Sequence, residues 1–117
     1  MNVFSVDVED WYQGIEIPMS EWDGYESRIE ASMVRLLDLM AQYDVTATCF
    51  VLGKVAEEHP DLVRRIDDAG HEVATHGYSH EKIYNLSQDR FRQELRKSID
   101  LLEIGRASCR ERVYTKV

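Results

Sequence analysis

Five side chains in this sequence have the types and spacing to hold an ion and move a proton. Asp7, Glu9 and Asp10 crowd the end of the apolar run in "FSVDVEDWYQ", and His76 and His80 stand four apart in "THGYSH". Two imidazoles at that spacing meet one ion on a helical turn or a tight loop, and one carboxylate from elsewhere adds an oxygen ligand. Such a set leaves open positions for water and substrate, as catalytic rather than structural sites do. A second carboxylate nearby then serves as base towards the water. Alone, the HxxxH spacing is a weak signal, and an acidic strand end is often only a solvated edge. Ligand type also leaves zinc hydrolysis and iron(II) oxygen chemistry unseparated, because both use two histidines and a carboxylate.

The elements that must position these residues read as β-α-β-α-β-loop-α. "VFSVDV" (3–8) is the first strand. Residues 26–42 form a helix, with Ile29, Met33, Leu36, Leu37 and Met40 on one face. "VTATCFVL" (45–52) is β-branched and aromatic, a second strand broken by Gly53. Pro60 suits the first turn of the next helix and Gly70 the position past its end. "HEVAT" (71–75) is the third strand. Ser87 caps a last helix with Phe91, Leu95, Ile99 and Leu102 inside. Strands alternating with helices imply parallel pairing in a doubly wound sheet or part of a barrel, with functional groups at the C-terminal strand ends. Both polar clusters fall at such ends, which strengthens the metal reading beyond what either motif carries.

Bulk properties exclude several classes. The 117 residues are 44% hydrophobic, enough for one small domain or part of a larger one. A net charge of −8 argues against nonspecific nucleic-acid binding. No apolar run approaches the roughly 20 residues that span a bilayer, and no signal peptide is visible, so the expected location is cytoplasmic. Cys49 and Cys109 form neither a disulfide framework nor a CxxC pair, and Cys49 reads as a buried thiol. His71 reads as a structural hydrogen-bonding residue, His59 as exposed or capping, and Trp11 and Tyr12 as either cleft or packing aromatics.

"FSVDVEDW", "TATCFVLG" and "GHEVATHGYSH", in that order, closely resemble the first half of the polysaccharide deacetylase family (NodB homology, carbohydrate esterase family 4). The "DVEDW" form resembles the subgroup associated with bacterial exopolysaccharide synthesis. The resemblance implies an α/β fold, the N-terminal part of a distorted (β/α) barrel, truncated. It also implies metal-dependent removal of N-acetyl groups from the sugars of a polysaccharide, with zinc as the expected divalent ion. By motif position Asp7 matches the catalytic base, and His76 and His80 match metal ligands. The family's usual form has adjacent aspartates, so the acidic ligand is open here: Glu9 shares Asp7's face by strand alternation, and Asp10 reaches the site only if the strand has turned. The family's acid histidine, from a later motif, has no counterpart here. A small cyclic amide hydrolase on the same barrel and a non-catalytic carbohydrate-binding or assembly protein are the rival readings.

The character of the chain changes near its end. Residues 1–103 carry 10 basic and 21 acidic side chains, whereas 104–117 carry four basic and one acidic. The resemblance stops at 103, and "IGRASCRERVYTKV" resembles translated adaptor or vector sequence more than a natural domain end. The expected organisation is therefore a partial deacetylase domain over 1–103 and a non-homologous tail over 104–117. The expectation is an inactive fragment with an exposed sheet edge.

Overall fold

The computed structural model describes residues 2–106 and 114–115. Four strands, β1 (Ser5–Val8), β2 (Thr48–Val51), β3 (Glu72–Thr75) and the two-residue β4 (Tyr114–Thr115), alternate with helices α1 (Ile29–Gln42), α2 (Gly53–Glu58), α3 (Pro60–Asp68) and α4 (Gln88–Arg106). Short 3-10 turns occupy Met19–Gly24 and Ile83–Asn85. Every strand pair is parallel, and spatial order follows chain order, β1-β2-β3-β4. A doubly wound sheet reverses its order at a switch point, whereas a barrel winds one way. The one-way order here is the barrel pattern, open at both edges among the described residues.

Burial explains the register. Asp7 pairs with Phe50, and Phe50 with Ala74, which aligns the C-terminal ends of the first three strands. Val73, Ala74 and Thr75 are all buried in succession, the mark of a strand covered on both faces. The core joins Val8, Cys49 and Val51 of the sheet to Met33, Leu37 and Met40 of α1, Val63 and Ile66 of α3, and Leu102 of α4. Cys49 is wholly buried, and desolvation pushes its thiol up to about 11, as expected of an inert core thiol. Of the residues expected inside α4, Phe91, Leu95 and Ile99 are only half-buried, and the helix instead buries the hydroxyl of Ser98.

The first three strands are shorter than the sequence reading, at 5–8, 48–51 and 72–75, and three helix boundaries stand out for a local reason. Helix α1 begins at Ile29 rather than 26, because the carboxylate of Asp10 accepts the backbone N–H groups of Arg28 and Ile29 there. Gly53 does not simply break β2 but opens α2, whose tight packing needs glycine: a Cβ there would lie 2.7 Å from Cδ1 of Tyr78 and 3.0 Å from Cβ of Ser98. Gly53→Ala is therefore expected to lower the unfolding free energy by about 1–3 kcal/mol, the usual cost of overpacking, and urea unfolding measures it. Helix α4 runs to Arg106, with Gly105 against Val63 and Arg106 Nε 3.4 Å from Asp67. Cys109 and most of the tail lie outside the described residues.

At the N-terminal end of the sheet, far along the strands from the acidic cluster, His71 is 6% exposed and its Nδ1 accepts the Ala47 N–H at 3.0 Å. That bond requires an unprotonated Nδ1, and burial lowers the His71 pKa below its ordinary 6.5. A lowered folded-state pKa stabilises the fold above the unfolded value, and this stability is lost as pH falls from about 6.5 through the folded value. The urea midpoint of the wild-type chain should fall between pH 7.5 and 5.5. His71→Gln should flatten that dependence, and an equal slope in both proteins would remove His71 from the account.

Candidate metal centre

Strand β1 ends at Val8, and the next residue delivers its carboxylate to the histidines. Glu9 Oε2 lies 2.7 Å from His80 Nε2 and 3.4 Å from His76 Nε2. The imidazoles meet edge to face, with centroids 5.0 Å apart. Ligand atoms of Glu9, His76 and His80 all fall within 4.8 Å of one another, all three residues being half-buried. Glu9 Oε2 and His76 Nε2 are nonetheless buried without a hydrogen-bond partner. Two desolvated polar atoms facing one point without hydrogen-bond geometry are costly unless something fills that point. Two nitrogens and one oxygen so arranged fit a divalent ion.

Asp7 sits at the margin of this group. Its Oδ2 is 3.8 Å from His76 Nε2, and its side chain is 42% exposed, open to water. Asp10 goes elsewhere. Past Glu9 the chain turns, the Gln13 N–H donating to the Asp10 carbonyl, and the Asp10 carboxylate is 4% exposed against the start of α1. It accepts the Ser27 hydroxyl at 2.5 Å and the N–H groups of Trp11, Arg28 and Ile29 at 3.0–3.3 Å. Of the two acids considered as ligands, the structure therefore brings Glu9 to the histidines and not Asp10, whose oxygens are committed to a helix start with no capping side chain of its own. His59 joins that network, with Nε2 3.4 Å from the Ser27 hydroxyl.

The histidine loop is tied down residue by residue. His76 N–H donates to Val51 O, Gly77 N–H to Thr75 Oγ1, and Gly77 O accepts the Gly53 N–H at 2.6 Å. Gly77 has φ +79°, so the turn between the two histidines uses the freedom glycine has. His80 has φ +60°, rare for a side-chain-bearing residue and of the kind that persists where surroundings over-determine it. Sequence reasoning missed the residues behind the loop. Tyr78 donates its hydroxyl to Glu57 of α2 at 2.9 Å, and Ser79 donates to Glu94 of α4 at 2.7 Å. Burial alone would raise the Glu57 pKa, but the bonds from Tyr78 and Lys54 and the charges of Lys54 and Lys97 hold it below the ordinary value.

Trp11, by contrast with buried Tyr12, is 58% exposed, its indole N–H donating to Glu26 O. Beside the loop, Ile15, Ile83, Leu86, Phe91 and Leu95 line an apolar hollow of about 260 Å³ that His76 and His80 also border. No helix among the described residues is long and apolar enough to cross a membrane.

Comparison with known proteins identifies the family and the fold. The model of the polysaccharide deacetylase family matches residues 23–108. Over 68 residues the chain is 37% identical to a peptidoglycan-N-acetylglucosamine deacetylase of Bacillus cereus, covering 58% of this chain and 25% of that protein. Over 64 residues it is 38% identical to a chitooligosaccharide deacetylase of Rhizobium leguminosarum bv. trifolii, covering 55% and 30%. Among solved structures, a CE4 family pseudoenzyme from Bacillus anthracis superposes with a TM-score of 0.71 at 24% identity, covering 95% of this chain and 32% of that one. The chain spans under a third of the length of each of these proteins.

Proposed function

Because this chain belongs to the polysaccharide deacetylase family, we propose that it supplies the first motifs of a metal-dependent hydrolase that removes N-acetyl groups from the sugars of a polysaccharide. The observation that carries the reading is the convergence of Glu9, His76 and His80, with two buried ligand atoms lacking hydrogen-bond partners, beside the water-exposed carboxylate of Asp7. Glu9, His76 and His80 would hold the ion, and the nitrogen-rich donor set suits zinc. When bound, such an ion supplies Lewis acidity towards the amide oxygen and lowers the pKa of a coordinated water to about 7.

The remaining work falls to the chain. Asp7, at the rim, accepts the proton of the attacking water at its carboxylate, a role open to it because it is not one of the three converging residues. The leaving amine needs a proton in its turn. Among the described residues neither remaining histidine serves: His71 is engaged with Ala47 at the other end of the sheet, and His59 with Ser27. The proposal therefore includes an acid from outside these residues, and an inactive 117-residue chain. It also includes a soluble cytoplasmic setting, the exopolysaccharide association carried by "DVEDW", and a foreign origin for residues 104–117.

The test is acetate release from N-acetylglucosamine oligomers by the full-length source protein, run beside small cyclic amides and with bound metal assayed. Release from the oligomers, lost on chelation and restored by zinc, is the expected result. Turnover of the cyclic amides alone would move the assignment to the rival hydrolase. No turnover at full metal occupancy would favour a non-catalytic protein.

A further inference from the structure

We propose that Tyr78, held by Glu57 and Lys97, is a positioning residue that sets the geometry with which His76 and His80 meet their ion. The inference rests on the metal reading above and adds a component to it. Tyr78 is the middle of the three residues between the two histidines, so any rotation of its backbone re-aims one imidazole against the other. Its carbonyl accepts the Lys54 N–H at 3.3 Å, which ties that backbone to the first turn of α2.

Its side chain makes the second tie. The ring is 8% exposed, and its hydroxyl donates to Glu57 Oε1 at 2.9 Å. Lys97 of α4 lies over the ring, Nζ 4.1 Å from the centroid, and 3.6 Å from Glu57 Oε2. Lys54 reaches Glu57 Oε1 at 3.2 Å. One carboxylate thus gathers a phenol and two ammonium groups from α2, the loop and α4. Charge-assisted bonds of this kind are stronger and more directional than neutral ones. The absence of a side chain at Gly53 lets the ring sit against α2 at all, since a Cβ there would lie 2.7 Å from Cδ1.

The need for such a clamp is visible in the loop itself. Two of its five residues, Gly77 and His80, have left-handed backbones, and only the first is glycine. A loop containing a strained ligand relaxes unless neighbours over-determine it. Ser79 and Thr75 contribute, through Glu94 and Ser98, but they anchor the ends. Among the described residues, Tyr78 is the one that bridges the middle of the loop to both helices.

The experiment is cobalt(II) titration of the 117-residue chain, followed by visible absorption at a temperature where circular dichroism shows each protein folded. Tyr78→Phe and Glu57→Ala should each weaken cobalt affinity about 10-fold and alter the absorption bands, as outer-shell changes do. Glu57→Gln, which keeps an acceptor for the phenol, should stay within about 3-fold of wild type. The double variant Tyr78→Phe/Glu57→Ala should be no weaker than either single one, since both remove one interaction. Unchanged affinity and spectrum in Tyr78→Phe would overturn the inference while leaving the metal centre standing. No cobalt binding by the folded wild-type chain would overturn the metal reading itself, and the inference with it.

Discussion

Glu9→Ala is expected to cost more than about 100-fold in divalent-ion affinity, beyond the 10–100-fold typical of changes outside the ligands themselves. Asp10→Ala is expected to leave that affinity within a few-fold and instead to lower folding stability by about 2–4 kcal/mol. The two carboxylates are adjacent in sequence, of equal charge, and buried to different ends. Glu9 brings an oxygen to within 2.7 and 3.4 Å of the two imidazoles, so its removal takes away the cluster's oxygen donor. Asp10 accepts a hydroxyl and three backbone N–H groups where α1 begins. Its removal strands buried donors and uncaps a helix whose positive end favours an anion. Asp10→Asn should recover part of the loss, because asparagine caps well. Calorimetric titration with zinc and urea unfolding of each variant separate the two roles. Loss of ion binding in Asp10→Ala with retention in Glu9→Ala would reverse the assignment.

Why the sequence left that pair undecided is instructive. Strand alternation places Glu9 with Asp7 only while the chain stays extended, and β1 ends one residue earlier, at Val8. Both acids therefore lie where the period-two rule has lapsed. The choice is made by a contact 17 to 19 residues away, between Asp10 and the Ser27–Ile29 segment, which no local pattern announces. The larger plan was open to inspection because it rests on local signals. Apolar runs flanked by glycine and helical stripes at three-to-four spacing fixed the alternation of elements, and parallel pairing then forced both polar clusters to one end of the sheet.

The same distinction explains the elements that went unseen. Helix α2 is six residues long, too short to display a helical period, and it opens on a glycine that reads as a terminator. With α2 hidden, nothing in the sequence marks Lys54 and Glu57 as partners. Their meeting with Tyr78 and Lys97 needs three elements in place at once. Contacts of that order carry no sequence periodicity, and residue type alone gives no hint that a tyrosine between two histidines is clamped from behind.

Asp7→Asn in the full-length source protein is expected to reduce kcat about 10²–10⁴-fold, the range spanned by general acid–base catalysis, with the metal content unchanged. The substitution keeps shape and hydrogen-bonding reach and removes only the capacity to accept a proton. Two features make the outcome specific to a base. Asp7 is not among the three converging residues, and its Oδ2 lies 3.8 Å from His76 Nε2, so occupancy should survive. Its side chain is also 42% exposed, unlike the more buried side chains around it, which leaves it open to the water that the proposed role has it deprotonate. A positioning role would give a different pattern, with metal content and activity falling together and excess zinc restoring both. Persistence of wild-type turnover in a fully metallated Asp7→Asn protein would remove Asp7 from the chemistry and place the base outside this strand.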